Sequence, residues 1–267
     1  MASSTRQSLA AAKQALEPKL AKADIKFAEE IFAIGAAVAD SAQLRSILSD
    51  PSAEANAKSG AIKAVFGKSV SAATLEFATS LVALRWSTGQ DLVGAFEQLG
   101  VYAVASIASR AKNLGQVESE LFAFQQAVDS DAELQFALAD KRAGEDAKVA
   151  LVAALIGNKT SSEGAVLIRR AVLSARRRRV SVVLEQFGKQ VSAFANRQIA
   201  TVTVASEIST KQLERLEAAL AKTYGQSLKL NVEIDPSILG GVKVQIDGEI
   251  IDGSLSSRLN NAKLQLA

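Results

Sequence analysis

The spacing of apolar positions changes character once along the chain. Up to about residue 197 apolar side chains recur every three or four residues, the period of one buried helix face. From Ile199 they alternate, the period of a half-buried strand. Leu9, Ala12, Leu16 and Leu20 mark a first helix beginning after Ser3 and Ser4, with Pro18 placed to break or restart it. Phe27, Ile31, Ile34 and Val38, after Asp24, mark a second, and a short third covers 44–48. Asp50 followed by Pro51 reads as an N-cap and first-turn pair. A fourth helix is therefore expected from there through Ile62, Val65 and Phe66, stopping at Gly67. A fifth follows Ser71 and contains Leu75, Ala78, Leu81 and Val82. A sixth, after Thr88, runs through Leu92, Phe96 and Leu99, spanning about 89–112.

The helical part is written twice. Residues 27–71 align with 117–161 at a constant shift of 90 without gaps, and 15 of those 45 positions are identical, including Glu30 with Glu120, Phe32 with Phe122, Asp50 with Asp140 and Gly67 with Gly157. Turn and cap positions are among the matches, so shared alanine content does not explain them, and the pattern is an internal duplication. Further on the shift is 88, pairing Glu97-Gln98-Leu99-Gly100 with Glu185-Gln186-Phe187-Gly188. Under the shift of 90 the counterpart of the first helix falls inside the sixth. One long helix shared by both bundles is the consequence.

After residue 197 the β-branched run Ile199, Thr201, Thr203 against Ala200, Val202, Val204 reads as a strand. An amphipathic helix with Leu213, Leu216 and Leu220 follows Ser209. Then come Leu228, Leu230, Val232 and Ile234, a turn at Asp235-Pro236-Ser237, the pair Gly240-Gly241, and Val242, Val244, Ile246. Asp247-Gly248 before Ile250-Ile251 asks for a tight hairpin, so these last strands are expected to be local and antiparallel. A terminal helix is expected from Asp252 or Ser254 through Leu255, Leu259 and Leu264. The fold class is thus mainly α: two tandem six-helix-type bundles, 1–112 and 113–197, then a small α/β domain, 198–267, with a mixed sheet and a hairpin.

Composition narrows the chemistry. The chain has no histidine and no cysteine, which removes imidazole acid–base work, thiolates, disulfides and the usual zinc ligands, and leaves no catalytic, cofactor or metal site in view. Lys+Arg number 31 against 28 Asp+Glu, too even for a dedicated nucleic-acid surface. No window approaches the roughly 20 consecutive apolar residues of a membrane helix, so no direct membrane span is expected. Arg176, Arg177, Arg178 and Arg179, with Arg169 and Arg170 upstream, form the one dense basic feature. A nucleic-acid patch is one reading and a protein-contact or solvated corner the other. Gly240-Gly241 lacks the spacing of a phosphate loop and reads as backbone geometry; Asp235, Asp247 and Asp252 read as turn residues rather than a cation site. Trp86, the sole tryptophan, packs in the core or lines a partner groove.

The order Asp235-Pro236, Gly240-Gly241, hairpin, Asp252-Gly253-Ser254, Arg258 resembles the C-terminal signature of the delta subunit family of F-type ATP synthases, relatives of the mitochondrial oligomycin-sensitivity-conferring protein. The resemblance implies an N-terminal six-helix bundle and a small C-terminal domain, here with the bundle doubled as in actinobacterial forms. It implies a non-catalytic peripheral-stalk subunit without cofactors. Its bundle would grip the N-terminal helices of the alpha subunits and its C-terminal domain a b-type subunit, resisting rotor torque during proton-driven ATP synthesis. The place implied is the cytoplasmic side of the bacterial plasma membrane, held peripherally. Helix geometry and this analogy together put the alpha-helix groove on Leu9, Ala12, Leu16, Leu75, Ala78, Val82 and Trp86. A helical-repeat adaptor unrelated to ATP synthase, or a nucleic-acid binder using the Arg176 run, are the rival readings.

Overall fold

The computed structural model describes residues 3–140, 142–157, 159–175, 178–197, 199–206, 208–224, 228–236, 238, 240–246 and 249–252. They divide into two compact units, Met1–Ser192 and Ala193–Ala267.

The first unit is helical: α1 (Ser3–Leu20), α2 (Ile25–Asp40), α3 (Ala42–Ser49), α4 (Ala55–Phe66), α5 (Ala72–Ala83), α6 (Gly89–Arg110), α7 (Leu114–Ser130), α8 (Ala132–Ala139), α9 (Glu145–Ile156), α10 (Ser162–Ser174) and the start of α11 (Val180–Arg197). Side-chain caps fix most starts. Asp24 accepts from the Phe27 N–H at 3.0 Å, Ser41 from Leu44, Ser71 from Thr74, Thr88 from Asp91, Asp131 from Glu133 and Leu134, and Ser161 from Gly164. Each satisfies an amide with no partner inside its own helix.

Two sequence expectations are corrected here. Asp50 does not start α4: its Oδ1 accepts from the Ser52 N–H at 2.8 Å and from the Ser52 hydroxyl, closing a turn, and the helix begins at Ala55 after Glu54. Asp140 makes the same turn with the Arg142 N–H, so the repeated Asp marks a linker. Pro18 does not break α1, which continues to Leu20. Pro18 lies exposed in the last turn, where a single i−4 hydrogen bond is forgone.

The repeat is visible in the boundaries. α8 and α9 reproduce α3 and α4 at a shift of 90, and α1 moved by 90 would end at Arg110, where α6 ends. The packing agrees, because α1 lies on α5 and α6 lies on α10, the same helix pair in successive copies. α6 therefore closes the first bundle against α2 and opens the second against α7 and α10. This explains its composition. α6 is the one described helix long and apolar enough to cross a bilayer, yet Leu92, Phe96, Leu99, Val101, Val104 and Ile107 are buried on successive faces of it, as in a core helix packed all round. Lys112, with φ +60°, ends it, and the Asn113 N–H reaches back to the Ala108 carbonyl at 3.0 Å.

The second unit contains β1 (Ile199–Val204), α12 (Thr210–Tyr224), β2 (Lys229–Ile234), β3 (Val242–Ile246) and β4 (Glu249–Asp252), in sheet order β2-β1-β3-β4. β1 is parallel to β2 and antiparallel to β3, and β3 is antiparallel to β4, so the sheet is mixed. β1 lies between β2 and β3, so the strands on either side of the turn at 235–241 are not neighbours. The hairpin is as expected, with Ile246 opposite Glu249 across two residues. Ala200, Val202, Val204, Val244 and Ile246 share one face and bury it with Leu220 and Leu228, against Leu216. α12 opens on a capping box in which the Ser209 N–H donates to Gln212 Oε1 at 2.9 Å. The terminal helix expected after Asp252 lies outside the described residues.

Candidate functional site

The seam between α1 and α5 is tied at one end to the α5–α6 loop. Ser8 Oγ donates to the Arg85 carbonyl at 2.6 Å, Thr5 Oγ1 donates to Ser87 Oγ at 2.9 Å, and Ser4 and Ser87 hydroxyls pair at 2.7 Å. At the other end Lys19 Nζ meets Glu76 at 2.8 Å. Between them, Ala12, Leu16, Ala78 and Val82 are at most 1% exposed and Trp86 is 3% exposed, its indole N–H donating to the Leu81 carbonyl at 3.0 Å. Leu9 and Leu75 remain half-buried on the surface. Of the seven residues expected to line the groove, five form the buried floor of the α1–α5 pair, Trp86 among them in the core, and Leu9 and Leu75 reach its surface. A Trp–alanine-rich interface closes this way because small residues let the helices approach while the ring fills the remaining space.

The two bundles meet across α2, α6 and α10. Arg170 of α10 lies over the Phe32 ring of α2, 5.5 Å from its centroid, and Arg169 reaches Glu29 at 3.6 Å. Arg178 donates to Gln186 at 2.9 Å and lies 3.4 Å from Glu97. Phe32 packs onto Gly100 of α6, where a Cβ would come within 2.4 Å of the ring. Of the described arginines of the basic feature, Arg169 and Arg170 thus reach from α10 to α2 and Arg178 to α6 and α11, while Arg179 is exposed. Arg176 and Arg177 lie outside the described residues.

A second structure repeated in both copies was missed in the sequence. Glu30, 8% exposed, accepts from the Ser71 N–H at 3.0 Å, the Ser71 hydroxyl at 2.7 Å and the Thr74 hydroxyl at 2.6 Å. Burial alone would raise its pKa, but the bonds from Thr74 and Ser71, with Lys26 nearby, outweigh that and hold the carboxyl below its ordinary value of 4.5. In the second copy Glu120 accepts from the Ser161 N–H at 2.8 Å and the Ser161 hydroxyl at 2.6 Å. Gly164 stands where the first copy has Thr74, and a Cβ there would meet Glu120 Oε2 at 2.0 Å. Both Glu–Ser pairs are identical under the 90-residue shift, which is the signal that could have exposed them.

In the second unit Gly240 and Gly241 have φ of +134° and +86°, conformations that L side chains rarely adopt, so they act as backbone geometry. The Asp235 N–H donates to the Val204 carbonyl at 2.9 Å, and the Asp235 carbonyl accepts from Ile238 at 3.2 Å, closing the turn at exposed Pro236. Asp252 is the exposed last residue of β4. Gly253, Ser254 and Arg258 lie outside the described residues. No group of three or more acidic residues able to hold a metal ion occurs among the described residues.

Residues 101–266 match the family model for the ATP synthase delta (OSCP) subunit. The match begins inside α6, so it takes in the second bundle and the C-terminal unit. An ATP synthase subunit delta of Leifsonia xyli subsp. xyli is 44% identical over 267 residues, covering the whole of both chains. One from Arthrobacter sp. (strain FB24) is 38% identical over 275 residues, again covering both chains completely. A chain in a cryo-EM structure of the Toxoplasma gondii mitochondrial ATP synthase hexamer is similar at a TM-score of 0.32 and 14% identity, covering 64% of this chain and 96% of that one.

Proposed function

The chain belongs to the ATP synthase delta (OSCP) subunit family, non-catalytic components of the peripheral stalk, and from that premise we propose that it links the catalytic head to a b-type stalk subunit. In this reading the helical unit binds N-terminal helices of the alpha subunits, and the small α/β unit, with its Pro236 and Gly240-Gly241 turns, binds the b-type chain. The protein sits on the cytoplasmic face of the bacterial membrane as part of that complex and opposes rotation of the head.

One observation carries the choice of docking face. The pair α6–α10 repeats α1–α5, but α10 is also packed against α2, so the first copy covers part of the second copy's seam. Among the described residues, no helix from α7 to α11 packs extensively on α1 or α5. An amphipathic helix laid along the α1–α5 seam over Leu9 and Leu75 rests on the rigid floor of Ala12, Leu16, Ala78, Val82 and Trp86. Burying about five apolar side chains of such a helix, at ~1.5–3 kcal/mol each, supplies on the order of 10 kcal/mol before the costs of association.

The test uses the half-buried positions, because charges at Leu16 or Val82 would unfold the bundle. Leu9→Asp with Leu75→Asp is expected to weaken calorimetric affinity for a peptide of the alpha N-terminal helix at least about tenfold. Unchanged affinity, with the fold intact by circular dichroism, would reject the seam.

A further inference from the structure

The two ends of the tandem are not alike. At the first-copy face of α2 and α6, Phe32 is 4% exposed, with Arg170 of α10 over its ring and Gly100 beneath it. The second-copy counterpart of that face is formed by α7 and α11, which are joined there by Ser192 Oγ donating to Glu118 at 2.6 Å. On it Phe122, the counterpart of Phe32, is 62% exposed, and Gly188, the counterpart of Gly100, has nothing within 4 Å of where a Cβ would stand. The repeat thus presents a second time the surface that a helix covers the first time. In stacked repeats such an end is either capped by polar residues or taken by a partner, and an exposed phenylalanine is no polar cap.

The covering element in the first copy states what the second would accept. α10 brings Arg170 to the ring and Arg169 to Glu29. The open face carries Glu118 on α7, at the position of Ala28, and Glu185 on α11, paired with Lys189 at 2.6 Å and the counterpart of Glu97, which Arg178 meets in the first copy. α7 itself carries no basic residue. A second copy of this chain fits poorly. Its own α5 has Thr79 and Ser80 where α10 has Arg169 and Arg170, and Glu76 beside them would face the acidic surface. We infer that the α7–α11 face around Phe122 is a docking site for a cationic amphipathic helix of a different protein, which lays an arginine or lysine over Phe122 and meets Glu118 and Glu185.

This rests on the stalk reading only in that it expects the partner within the assembled complex, and the experiment separates the two. Phe122 is replaced by photoreactive benzoylphenylalanine in the full chain, expressed in the source bacterium. Membranes are irradiated and the adduct is mapped by mass spectrometry. The expected result is an adduct with a helical segment of another protein that carries at least two basic residues. Its yield should fall about tenfold in a Glu118→Lys, Glu185→Lys background whose melting temperature is unchanged. An adduct with a second copy of this chain, an adduct with a non-basic segment, or no adduct although the chain co-purifies with the synthase, overturns the docking site and leaves the stalk reading standing. Loss of co-purification by the unmodified chain defeats the stalk reading instead.

Discussion

The two bundles share one plan and differ in how completely they fill it. α4 buries Lys58, Ile62 and Phe66, whereas its repeat α9 buries Val152 alone among its described residues. Fully buried leucines and isoleucines occur in both copies, among them Leu16, Ile31 and Leu48 in the first and Leu138, Leu167 and Ile168 in the second. The loop geometry is retained: Arg45 donates to the Ala39 carbonyl at 2.6 Å in the first copy, and Gln135 to the Asp129 carbonyl at 3.2 Å in the second. The filling is not. An open cavity of about 970 Å³ lies among Val128, Leu138, Val172 and Val180, with Phe136 at its rim 76% exposed. The first copy brings its own α1 and Trp86, while the second borrows α6 as its first helix. Duplication preserved the turns and caps that direct the chain and left apolar packing free to differ.

The largest expected effect sets matched phenylalanines against each other. Phe32→Ala removes a ring buried between α2, Gly100 and Arg170, and is expected to cost about 3–5 kcal/mol in urea unfolding. Phe122→Ala removes an exposed ring and is expected to change stability by no more than about 0.5 kcal/mol. Equal costs would mean that Phe122 is packed in solution, and the contrast between the ends would fail along with the docking site built on it.

The repeated carboxylates give a smaller, pH-marked difference. Glu30→Gln leaves three donors facing a neutral amide and is expected to cost about 1.5–3 kcal/mol near neutral pH. Because the folded-state pKa of Glu30 lies below 4.5, its contribution is present above that value and is lost as pH falls through the lowered folded-state pKa. The variant should therefore show a shallower acid destabilisation than the parent, with the two curves converging at low pH. Parallel curves across that range would show that the carboxylate network is not what the first bundle loses in acid.

Much of this was legible because the repeat is a ruler. The shift of 90 predicted the shared α6 from arithmetic alone, and the capping residues Asp24, Ser71 and Thr88 stand where local chemistry puts them. Asp50-Pro51 misled because Asp serves a turn as readily as a helix start, and the choice depends on the three residues that follow. The neighbour of β2 was not legible, since alternation gives strands but not which strand a parallel crossover inserts between them. The depth at which Leu16 and Val82 lie in the α1–α5 seam was not legible for a related reason. Helical spacing finds the apolar face but does not say whether a neighbouring helix of the same chain already occupies it, and here Trp86 and α1 do.

The smallest effect has an opposite sign in the two copies. Gly100 touches Phe32, so Gly100→Ala forces the ring or the helix to shift and is expected to destabilise by about 1–3 kcal/mol, the cost of overpacking. Gly188 is helical with open space around its Cβ direction, so Gly188→Ala should stabilise by about 0.5–1 kcal/mol through the lost flexibility of the unfolded chain. The measurement is the midpoint of chemical unfolding for the two single variants and the parent. A Gly188→Ala loss of more than about 0.5 kcal/mol would place a side chain or a partner helix over that position. Run again with the assembled stalk complex, the same variant becomes a probe of the open face. If a helix covers Phe122 there as α10 covers Phe32, the added methyl should weaken its binding while leaving the free chain more stable, a combination that a purely structural glycine cannot produce.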